Sequence, residues 1–566
     1  MTADPLEGIR SELLRELARA ARAAGAPEDF VPELERPRDP EHGDLASNSA
    51  LVLGGRTDRP PRELAEEIAG AVDPSAAGLR SVDVAGPGFL NFRLADRVWF
   101  EALAHVLARD RRYGRWPVEE AGRVNVEFVS ANPTGPLHVA HGRGAALGDA
   151  IASLLEWTGH DVTREFYVND AGRQIDLLGA SVEARYRELE GEGGGEIPEG
   201  GYRGGYVADL ARELAEEAGR DRLRSMSADE RSAWFAREAS ARLRAGHQED
   251  LSAFGVEMDL FREESALYRD GRVEEALERL RERGLTYEEE GAEWLATARF
   301  GDEKDRVVVK SDGSYTYFLP DIAYHLDKAE RGFDRAVDVW GADHHAHVDR
   351  MRAALEALGR DGDFLEVVLL QLVSVLRGGQ EVRMSKRAGE FVTLRELFRE
   401  TGTDVARYFF LMRRAEQHLN FDLDLALDTS ERNPVYKVQY AHARMCSVFE
   451  KGGVDPASVD PSREELAELG TDAERSVTRA LLRFPRTVRD AAASRAPYQV
   501  CTYLEEVAGR VNSWYHEGNL DRSLRVLAEG PSRPGRLGLA RAVQVTLRNG
   551  LELLGLSAPR QMLRDG

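Results

Sequence analysis

The segment of residues 122–173 most constrains how this chain can fold. Val124, Val126 and Phe128 alternate with polar residues, and a period of two predicts a strand. The next stretch, SANPTGP at 130–136, contains two prolines. Because proline has no N–H and fixes its own φ, neither a strand nor a helix can continue through it, so the chain must form a loop there.

Helical spacing follows the loop. Leu147 starts a series of apolar residues at i+4, i+7 and i+8, which predicts one buried helix face, and Gly159 is placed to end that helix. Val162, Phe166 and Val168 then return to strand-like alternation. A strand, a loop, a helix and a strand in this order predict two parallel strands joined by a crossover helix.

The turn that leads into this helix has the features of a polyphosphate site. The N-terminus of a helix offers unpaired N–H groups and the positive end of the helix dipole. His138 and His141 lie three apart at this turn and can both reach one polyphosphate, while Gly142 and Gly144 let the backbone close on a nucleotide. The stretch lacks the Lys-Ser or Lys-Thr ending of a Walker A loop. The alternative is that the two histidines cap the helix, which is the commoner case for an isolated His-x-x-His.

Longer sequence matches favour the nucleotide site. HVAH at 138–141 resembles the His-Ile-Gly-His signature of class I aminoacyl-tRNA synthetases. The surrounding VEFVSANPTGPLHVAHGRGA, with YVNDAGRQ downstream, resembles arginyl-tRNA synthetases. Ala140 departs from the family, whose third signature position is usually glycine. The resemblance implies that this segment binds ATP through Pro133, Gly135, His138, His141 and Gly144.

A second nucleotide pattern lies about 200 residues further on. RAVDVWG at 335–341 reads as a strand that ends at Gly341, and loops at the carboxyl ends of parallel strands are where open α/β sheets bind ligands. Asp343 and His347 are therefore placed to reach a ribose hydroxyl. Gly-x-Asp-x-x-x-His also resembles the class I synthetase pattern for the ATP ribose, which implies that Gly341, Asp343 and His347 bind ATP. No zinc site is expected, because the histidines here have no cysteine or further clustered histidine beside them.

Residues 306–328 predict a strand, a Ser-Asp-Gly turn, a second strand and a helix that begins near Pro320. Tyr317 and Asp321 are four apart and can face one pocket if this turn is helical. A guanidinium needs a planar, paired acceptor, although Asp321 can equally be a helix-start residue. The family resemblance implies an arginine site formed by Glu127, Ser130, Asn132, Tyr317 and Asp321.

GGQEVRMSKRAGEF at 378–391 is a glycine-flanked basic loop. Arg383, Lys386 and Arg387 suit a clamp on the leaving pyrophosphate, and the alternative is an exposed basic loop. The loop resembles the Lys-Met-Ser-Lys signature, with Arg383 in place of the first lysine, and this implies that Met384 and Lys386 contact ATP. Glu390 departs from the asparagine expected there.

The chain divides into three predicted domains. Residues 1–115 read as an α+β domain with helices over 6–25 and 62–72, a loop over 36–51 and two strands around a Gly-Pro-Gly turn. Its HGDLASNSAL and AGPGFLNFRL resemble the additional N-terminal domain of arginyl-tRNA synthetases, which implies contact with the D-loop corner of tRNA. Residues 116–400 predict a Rossmann-like parallel-sheet domain with a charged, glycine-containing insertion at about 175–300, after which the second half of the sheet begins near Arg306.

Residues 401–566 read as successive amphipathic segments that predict an all-α helical bundle. Tyr436, Tyr440 and Arg444 on one helix offer stacking faces and a phosphate contact for unpaired bases, and the alternative is that the aromatic rings are core. NPVYKVQYAHAR resembles the anticodon-binding domain of arginyl-tRNA synthetases, which implies that these three residues contact tRNA. Lys437 replaces an expected aromatic residue.

Composition limits the class of protein. The formal net charge of −23 repels nucleic acid at long range, so an RNA partner requires a local arginine patch. Two cysteines are too few for a disulfide framework or a cysteine-based zinc site, and they fit a reducing cytoplasm. No run approaches about twenty apolar residues, so no membrane span is expected. We expect a cytoplasmic monomer.

The leading hypothesis is ATP-dependent ligation of L-arginine to tRNA(Arg) through an arginyl-adenylate, with Mg²⁺ carried by ATP. In this hypothesis His138, His141 and Lys386 are catalytic because they stabilise phosphate charge. The alternatives are a non-catalytic tRNA-binding paralogue, another class I nucleotidyltransferase of the pantothenate-synthetase type, and a different class I synthetase. The nucleotidyltransferase would have no use for the C-terminal bundle, and a cysteinyl enzyme would carry zinc-binding cysteines that this chain lacks.

Overall fold

The structure, a computed structural model, describes residues 4–35, 37, 39, 42–75, 78–192, 195–382 and 392–562. Residues 7–109 form the N-terminal module, and its elements are α1 (Glu7–Ala23), β1 (Leu45–Ser47), α2 (Ser49–Thr57), α3 (Pro61–Ala71), β2 (Leu79–Ala85), β3 (Phe89–Leu94), α4 (Asp96–Glu101) and α5 (Leu103–Arg109). β3 lies between β1 and β2 and pairs antiparallel with both. The loop predicted over 36–51 is wrong at its end, because β1 and the start of α2 lie there. Three residues of strand are too short for alternation to reveal.

The middle of the chain contains the main sheet. Its elements are β4 (Arg123–Glu127), α6 (Val139–Trp157), β5 (Asp161–Val168), α7 (Arg173–Leu189), α8 (Gly205–Ala218), α9 (Arg220–Arg224), α10 (Ala228–Ala253), β6 (Leu260–Glu263), α11 (Glu264–Arg269), α12 (Arg272–Glu282), β7 (Thr286–Glu289), β8 (Ala292–Leu295), β9 (Arg306–Val309), α13 (Phe318–Glu330), β10 (Arg335–Gly341), α14 (His345–Ala357), β11 (Leu365–Leu370), β12 (Val373–Arg377) and β13 (Gln380–Glu381). The main sheet has the order β11-β10-β4-β5-β6, and each of these pairs is parallel.

The strand–loop–helix–strand prediction for 122–173 is confirmed. Val124 pairs with Val162 in the parallel β4–β5 ladder, and α6 crosses between the two strands. α6 approaches the sheet closely at Gly148, where an added Cβ would lie 2.1 Å from the Phe128 ring. A larger residue at 148 would therefore push the helix off the strand that precedes the signature loop.

The predicted insertion at about 175–300 needs correction. β6 lies inside this range yet pairs with β5 at the edge of the main sheet. The inserted part is therefore the helical unit α7 to α10, which lies in the sequence between these two neighbouring strands. β9, predicted to open the second half of the sheet, instead joins β7 and β8 in a separate antiparallel sheet. The strand predicted after the Ser-Asp-Gly turn is reduced to one bridge between Val309 and Tyr315. Periodicity identifies a strand but not its partner.

The C-terminal part is mainly helical. Its elements are α15 (Leu394–Thr401), α16 (Thr403–Leu411), β14 (Leu419–Asp422), α17 (Leu423–Ala426), α18 (Pro434–Gly452), α19 (Arg463–Ala467), α20 (Asp472–Leu481), α21 (Phe484–Ala493), α22 (Tyr498–Leu520) and α23 (Arg533–Leu553). β14 interrupts the predicted run of helices and pairs parallel with β12. Among the described residues, none of the helices combines the length and the apolar character needed to cross a bilayer.

One hydrophobic core joins the N-terminal module, the sheet around α6 and the C-terminal bundle. Tyr113 shows the junction, since its ring is buried beside Phe484 and its hydroxyl donates to the carbonyl of Leu481 at 2.7 Å. α12, α13 and α14 share a second core, and α7 to α10 share a third.

Candidate active site

The candidate residues gather at one edge of the main sheet. β4, β5, β6, β10 and β11 are parallel, so their carboxyl ends meet at the same edge. Ser130 and His138 follow β4, Asp170 follows β5, and Glu264 follows β6. Asp343 follows β10 at the same edge. A ligand at this edge can therefore contact side chains that are distant in the sequence.

His138 and His141 form the start of α6. His138 is the N-cap residue, and its backbone N–H donates to Nδ1 of His141 at 3.2 Å. The two rings stack with centroids 3.7 Å apart, and both side chains are half-exposed. The capping role considered as an alternative is thus present in the structure. It does not exclude phosphate binding, because both rings also lie beside the positive end of α6.

The loop before these histidines is strained. Val129 and Ser130 have φ of 71° and 40°, a region that residues with a Cβ rarely adopt. Side-chain hydrogen bonds hold the loop in place, because Ser130 Oγ donates to Glu127 at 2.8 Å and accepts from the N–H of Tyr167 at 3.1 Å. Such strain clusters at functional sites, where the surrounding structure enforces it. Asn132 lies further along and donates to Gln174 at 2.6 Å.

A buried network of four ionisable groups lies under this edge. The Lys328 ammonium donates to Glu127 at 2.6 Å and to Asp338 at 2.9 Å. His325 contacts the Asp321 carbonyl at 2.7 Å and Asp338 at 2.9 Å. Glu127, His325 and Asp338 could by geometry hold a metal ion, but the Lys328 ammonium already occupies the position of a cation.

Lys328 and His325 both contact the buried Asp338 carboxylate. Burial would raise the pKa of Asp338, but the Lys328 ammonium and the hydrogen bond from His325 lower it to about 2. The two ring nitrogens of His325 face two oxygen atoms, the Asp321 carbonyl and the Asp338 carboxylate, so the ring links these two residues. Lys328 and His325 therefore fix Glu127 and the backbone of Asp321 from below.

An acidic cluster of Asp170, Glu264 and Asp321 lies at this edge of the sheet. Asp321 accepts a hydrogen bond from Nε2 of His347 at 3.1 Å, and its side chain stays partly exposed. Burial raises the pKa of Glu264 to about 7, a hydrogen bond from Tyr167 opposes the rise, and the charges of Asp321 and Asp170 add to it. Asp170 also accepts two bonds from Ser265. Three carboxyl groups from separate elements thus lie close together at this edge, which suits a cationic ligand.

The remaining predicted positions are more open. Tyr317 caps the start of α13 and is 75% exposed, four residues before Asp321. Asp343 and His344 lie on an exposed 3₁₀ turn after Gly341, with 3.7 Å between the Asp343 carboxylate and Nε2 of His344. The Trp340 ring lies 5.6 Å from the His347 ring and supports it.

The predicted phosphate clamp lies outside the described residues. This segment contains Arg383, Met384, Lys386 and Arg387, and also Glu390, where the family resemblance leads us to expect an asparagine. The flanking elements are β13 and α15, and Leu394 at the start of α15 donates its N–H to the carbonyl of Leu137 at 2.8 Å. The chain therefore returns to the His138 turn directly after residues 383–391.

The predicted tRNA contacts lie on α18. Tyr436 stacks on Tyr440 with centroids 5.8 Å apart, but Tyr436 is only 9% exposed and packs as core. Arg444 lies between the Tyr440 and Tyr515 rings, 4.6 Å from each centroid, and donates to Asn512 at 2.5 Å. A cavity of about 300 Å³ beside them is lined by Trp514, Tyr515, Asn519 and residues of the 524–527 turn. Tyr440, Arg444 and Tyr515 remain half-exposed.

Sequence reasoning missed Glu264 and Lys328. Glu264 follows a strand of only four residues, and Lys328 looks like an ordinary charged residue near the end of a helix. The one available signal for Glu264 is an acidic residue directly after a strand, and it becomes visible only when β6 is known to belong to the main sheet.

Comparison with known proteins gives matches across the whole chain. The model described as tRNA synthetases class I (R), catalytic domain, matches residues 102–418. The DALR anticodon binding domain matches 438–562, and the arginyl tRNA synthetase N terminal domain matches 8–94.

Relatives and solved structures agree with these matches. The chain is 45% identical over 561 residues to the arginine–tRNA ligase of Bacillus licheniformis, which covers 98% of this chain and 100% of that protein. It is 48% identical to the enzyme of Syntrophotalea carbinolica over 94% of this chain and 95% of that one. The Thermus thermophilus arginyl-tRNA synthetase structure shares the fold with a TM-score of 0.73 and 24% identity, over 98% of this chain and 100% of that chain. Taken with the nucleotide signature at the start of α6 and the acidic cluster at the same sheet edge, these matches establish that the chain belongs to the arginyl-tRNA synthetase family of class I aminoacyl-tRNA synthetases.

Proposed function

We propose that this protein ligates L-arginine to tRNA(Arg) in two steps. The arginine carboxylate attacks the α-phosphate of ATP to give arginyl-adenylate and pyrophosphate, and the 2′-hydroxyl of the terminal adenosine of tRNA then takes the arginyl group. One observation carries the proposal, namely the acidic cluster with Asp321 and Glu264 on the sheet edge from which the histidine-bearing helix starts. No side-chain nucleophile is needed, because positioning and charge stabilisation do the chemistry.

The phosphates of ATP lie at the start of α6 in this proposal. His138 and His141 stabilise the charge that develops on the phosphates, and Lys386 neutralises the departing pyrophosphate with the Mg²⁺ that ATP carries. The strained loop brings Pro133 and Gly135 to the nucleotide, with Gly144 inside the helix. Gly341, Asp343 and His347 hold the ribose, and Met384 contacts the nucleotide from the segment that carries Lys386.

The guanidinium of arginine pairs with Asp321, and Tyr317 covers it. Since Nε2 of His347 donates to the same carboxylate, the guanidinium either shares Asp321 with His347 or takes its place. Glu264 adds a second carboxyl group to the acidic cluster. Glu127, Ser130 and Asn132 complete the site around the α-amino and carboxylate groups, and the Lys328 network keeps Glu127 in its orientation.

Unpaired bases of tRNA stack on the C-terminal bundle. Tyr440 and Arg444 supply the exposed stacking face and the cation, while Tyr436 supports Tyr440 from the core. The N-terminal module contacts the D-loop corner. We place the enzyme in the cytoplasm as a monomer, and the two free, buried cysteines are consistent with a reducing compartment.

ATP–pyrophosphate exchange tests the function. We expect exchange with arginine alone among the twenty amino acids, and only when tRNA(Arg) is present, a requirement that the family resemblance implies. A protein that binds tRNA(Arg) without exchange would be a non-catalytic paralogue. Exchange with a different amino acid would contradict the assignment of the acidic cluster to a guanidinium.

A further inference from the structure

Two side chains of the α7–α10 unit bind the backbone of the signature loop. The Tyr206 hydroxyl donates to the carbonyl of Thr134 at 2.7 Å. Nε2 of His247 contacts the carbonyl of Gly135 at the same distance. Tyr206 lies on α8 and His247 on α10, so two helices of one unit hold consecutive carbonyls three to four residues before His138.

The chemistry of His247 suits this contact. The ring is 2% exposed, and a carbonyl can only accept, so Nε2 carries the hydrogen atom. Burial lowers the pKa of His247, in spite of its bond to Gly135 and the nearby Asp250 charge, which keeps the ring neutral. Nδ1 is buried without a hydrogen-bond partner among the described residues. In the neutral ring this atom carries a lone pair, and burying an unpaired lone pair costs less free energy than burying an unpaired N–H.

Tyr206 also explains why residue 135 is small. An added Cβ at Gly135 would lie 3.3 Å from the Tyr206 hydroxyl, closer than most such contacts. Burial raises the pKa of Tyr206, so the phenol stays a donor. Side chains from another part of the chain thus limit both the size and the backbone position of this loop.

The unit that supplies these donors is rigid and reaches a second part of the edge. Arg231 on α10 forms a buried ion pair with Glu183 on α7 at 2.7 Å. Three residues after His247, Asp250 accepts a hydrogen bond from Arg395 on α15. α15 in turn contacts the signature turn through the bridge between His138 and Thr393. The turn of α10 that carries His247 and Asp250 therefore contacts the signature loop in two ways. His247 binds the loop directly, and Asp250 is linked through α15 to the turn at His138.

We propose that Tyr206 and His247 are positioning residues that set the geometry of the signature loop and so align His138 and His141 with the phosphates of ATP. This inference rests on the proposed function, because it assumes that these histidines contact ATP. It assigns a catalytic task to a helical unit whose sequence reads as a charged insertion, and it links that unit to the chemical step rather than to arginine binding.

Single-atom and shape-matched variants test the inference. Tyr206→Phe removes only the donor oxygen, and His247→Leu removes the donor while it keeps the volume, whereas His247→Gln retains an N–H donor. We expect Tyr206→Phe and His247→Leu each to lower kcat of arginine-dependent exchange at least tenfold, with the KM for arginine within twofold and Tm within about 3 °C. His247→Gln should recover at least half of the activity. Tyr202→Phe, four residues before Tyr206 in the loop that precedes α8, is the matched control and should stay within twofold.

Several outcomes overturn the inference. Activity within twofold in both donor-removing variants does so, and so does a His247→Gln variant as impaired as His247→Leu. A loss of activity that follows Tm alone would show that the contacts only stabilise the fold. His141→Gln measured in parallel separates the two proposals, because a fully active His141→Gln refutes the catalytic role of the histidines and with it the positioning. An inactive His141→Gln beside fully active Tyr206→Phe and His247→Leu refutes the positioning alone.

Discussion

His141 has a structural role that does not depend on a nucleotide. Its Nδ1 accepts the N–H of His138 at 3.2 Å and closes the first turn of α6. Glutamine at this third helical position commonly makes the same reciprocal bond in other helices. A glutamine substitution therefore keeps the cap and removes the imidazole, which separates the two interpretations of His-x-x-His.

We predict that His141→Gln slows arginine-dependent ATP–pyrophosphate exchange. The loss of transition-state stabilisation should be about 2–4 kcal/mol, the scale for removing one preorganised donor. Its Tm should change little. His141→Ala should show the same loss of exchange and, in addition, a loss of about 1 kcal/mol in unfolding free energy because the cap is gone. His345→Gln is the matched control, since His345 is exposed at the same sheet edge and has no assigned contact. Exchange within threefold of the parent in His141→Gln would leave the pair with the capping role only.

Glu264 predicts a pH dependence of arginine use. Its pKa is raised to about 7, so the carboxyl is neutral below that pH and ionised above it. Because a guanidinium prefers the carboxylate, kcat/KM for arginine should rise as pH increases through about 7, and Glu264→Gln should remove this step. Steady-state aminoacylation between pH 6 and 8.5 measures it. A profile that is unchanged in Glu264→Gln would exclude Glu264 from arginine binding.

The same shift has a consequence for stability. A carboxyl whose folded-state pKa lies above its unfolded value favours folding at low pH, and this contribution is lost as pH rises through the folded pKa. We therefore expect the difference in unfolding free energy between Glu264→Gln and the parent, measured with urea, to shift in favour of the variant when the pH is raised from 5.5 to 8.5. Glu263→Gln serves as the control, because it removes the adjacent carboxylate, which pairs with Arg244.

At the scale of elements, local periodicity predicts what is local. The β4–α6–β5 unit is recovered because its apolar residues repeat over long enough windows. The sequence does not reveal that β6 and β14 exist, since each has four residues, or that β9 pairs outside the main sheet. Strand partners depend on contacts between distant parts of the chain, which periodicity does not contain.

The candidate site divides in the same way. Motif spacing identifies His138, His141 and Asp321, because each lies at a turn that follows or begins a predicted element. The partners Lys328, Glu264 and His247 are not identified, because each reaches the site across roughly 110 to 200 residues of sequence or through the missed strand β6. Their residue types carry no local pattern.

Helix α18 carries the prediction for tRNA binding. Arg444 lies between Tyr440 and Tyr515, so Arg444→Ala should raise the KM for tRNA(Arg) about tenfold, as expected for the loss of a stacking cation and a phosphate contact. The KM values for ATP and arginine should not change, and the salt dependence of tRNA binding should become less steep. Tyr436→Phe is the control, because the buried Tyr436 hydroxyl has no hydrogen-bond partner among the described residues. An equal rise in the KM for tRNA in both variants would point to damage of the bundle rather than to a contact.

At the scale of the whole molecule, Arg407 connects three parts of the chain. It is fully buried on α16 and donates to Asp149 on α6 at 2.5 Å. It also donates to the carbonyl of Leu554 after α23 at 3.1 Å and to that of Gly255 after α10 at 3.1 Å. Arg407 thus links α6, the α7–α10 unit and the C-terminal bundle through hydrogen bonds. Asp149 supplies the carboxylate that pairs with its charge.

This arrangement predicts coupled stability. Asp149→Asn leaves the Arg407 charge buried without a carboxylate and should cost about 3–5 kcal/mol of unfolding free energy in urea. Glu529→Gln, which breaks the exposed Arg533–Glu529 pair, should cost less than about 1 kcal/mol. Since Arg407 also fixes the end of α23, hydrogen exchange in Asp149→Asn should accelerate both in α6 and at residues 549–556, which lie 400 residues apart in sequence. Acceleration confined to α6 would mean that the bundle and the catalytic sheet are stabilised independently, and that Arg407 does not couple them.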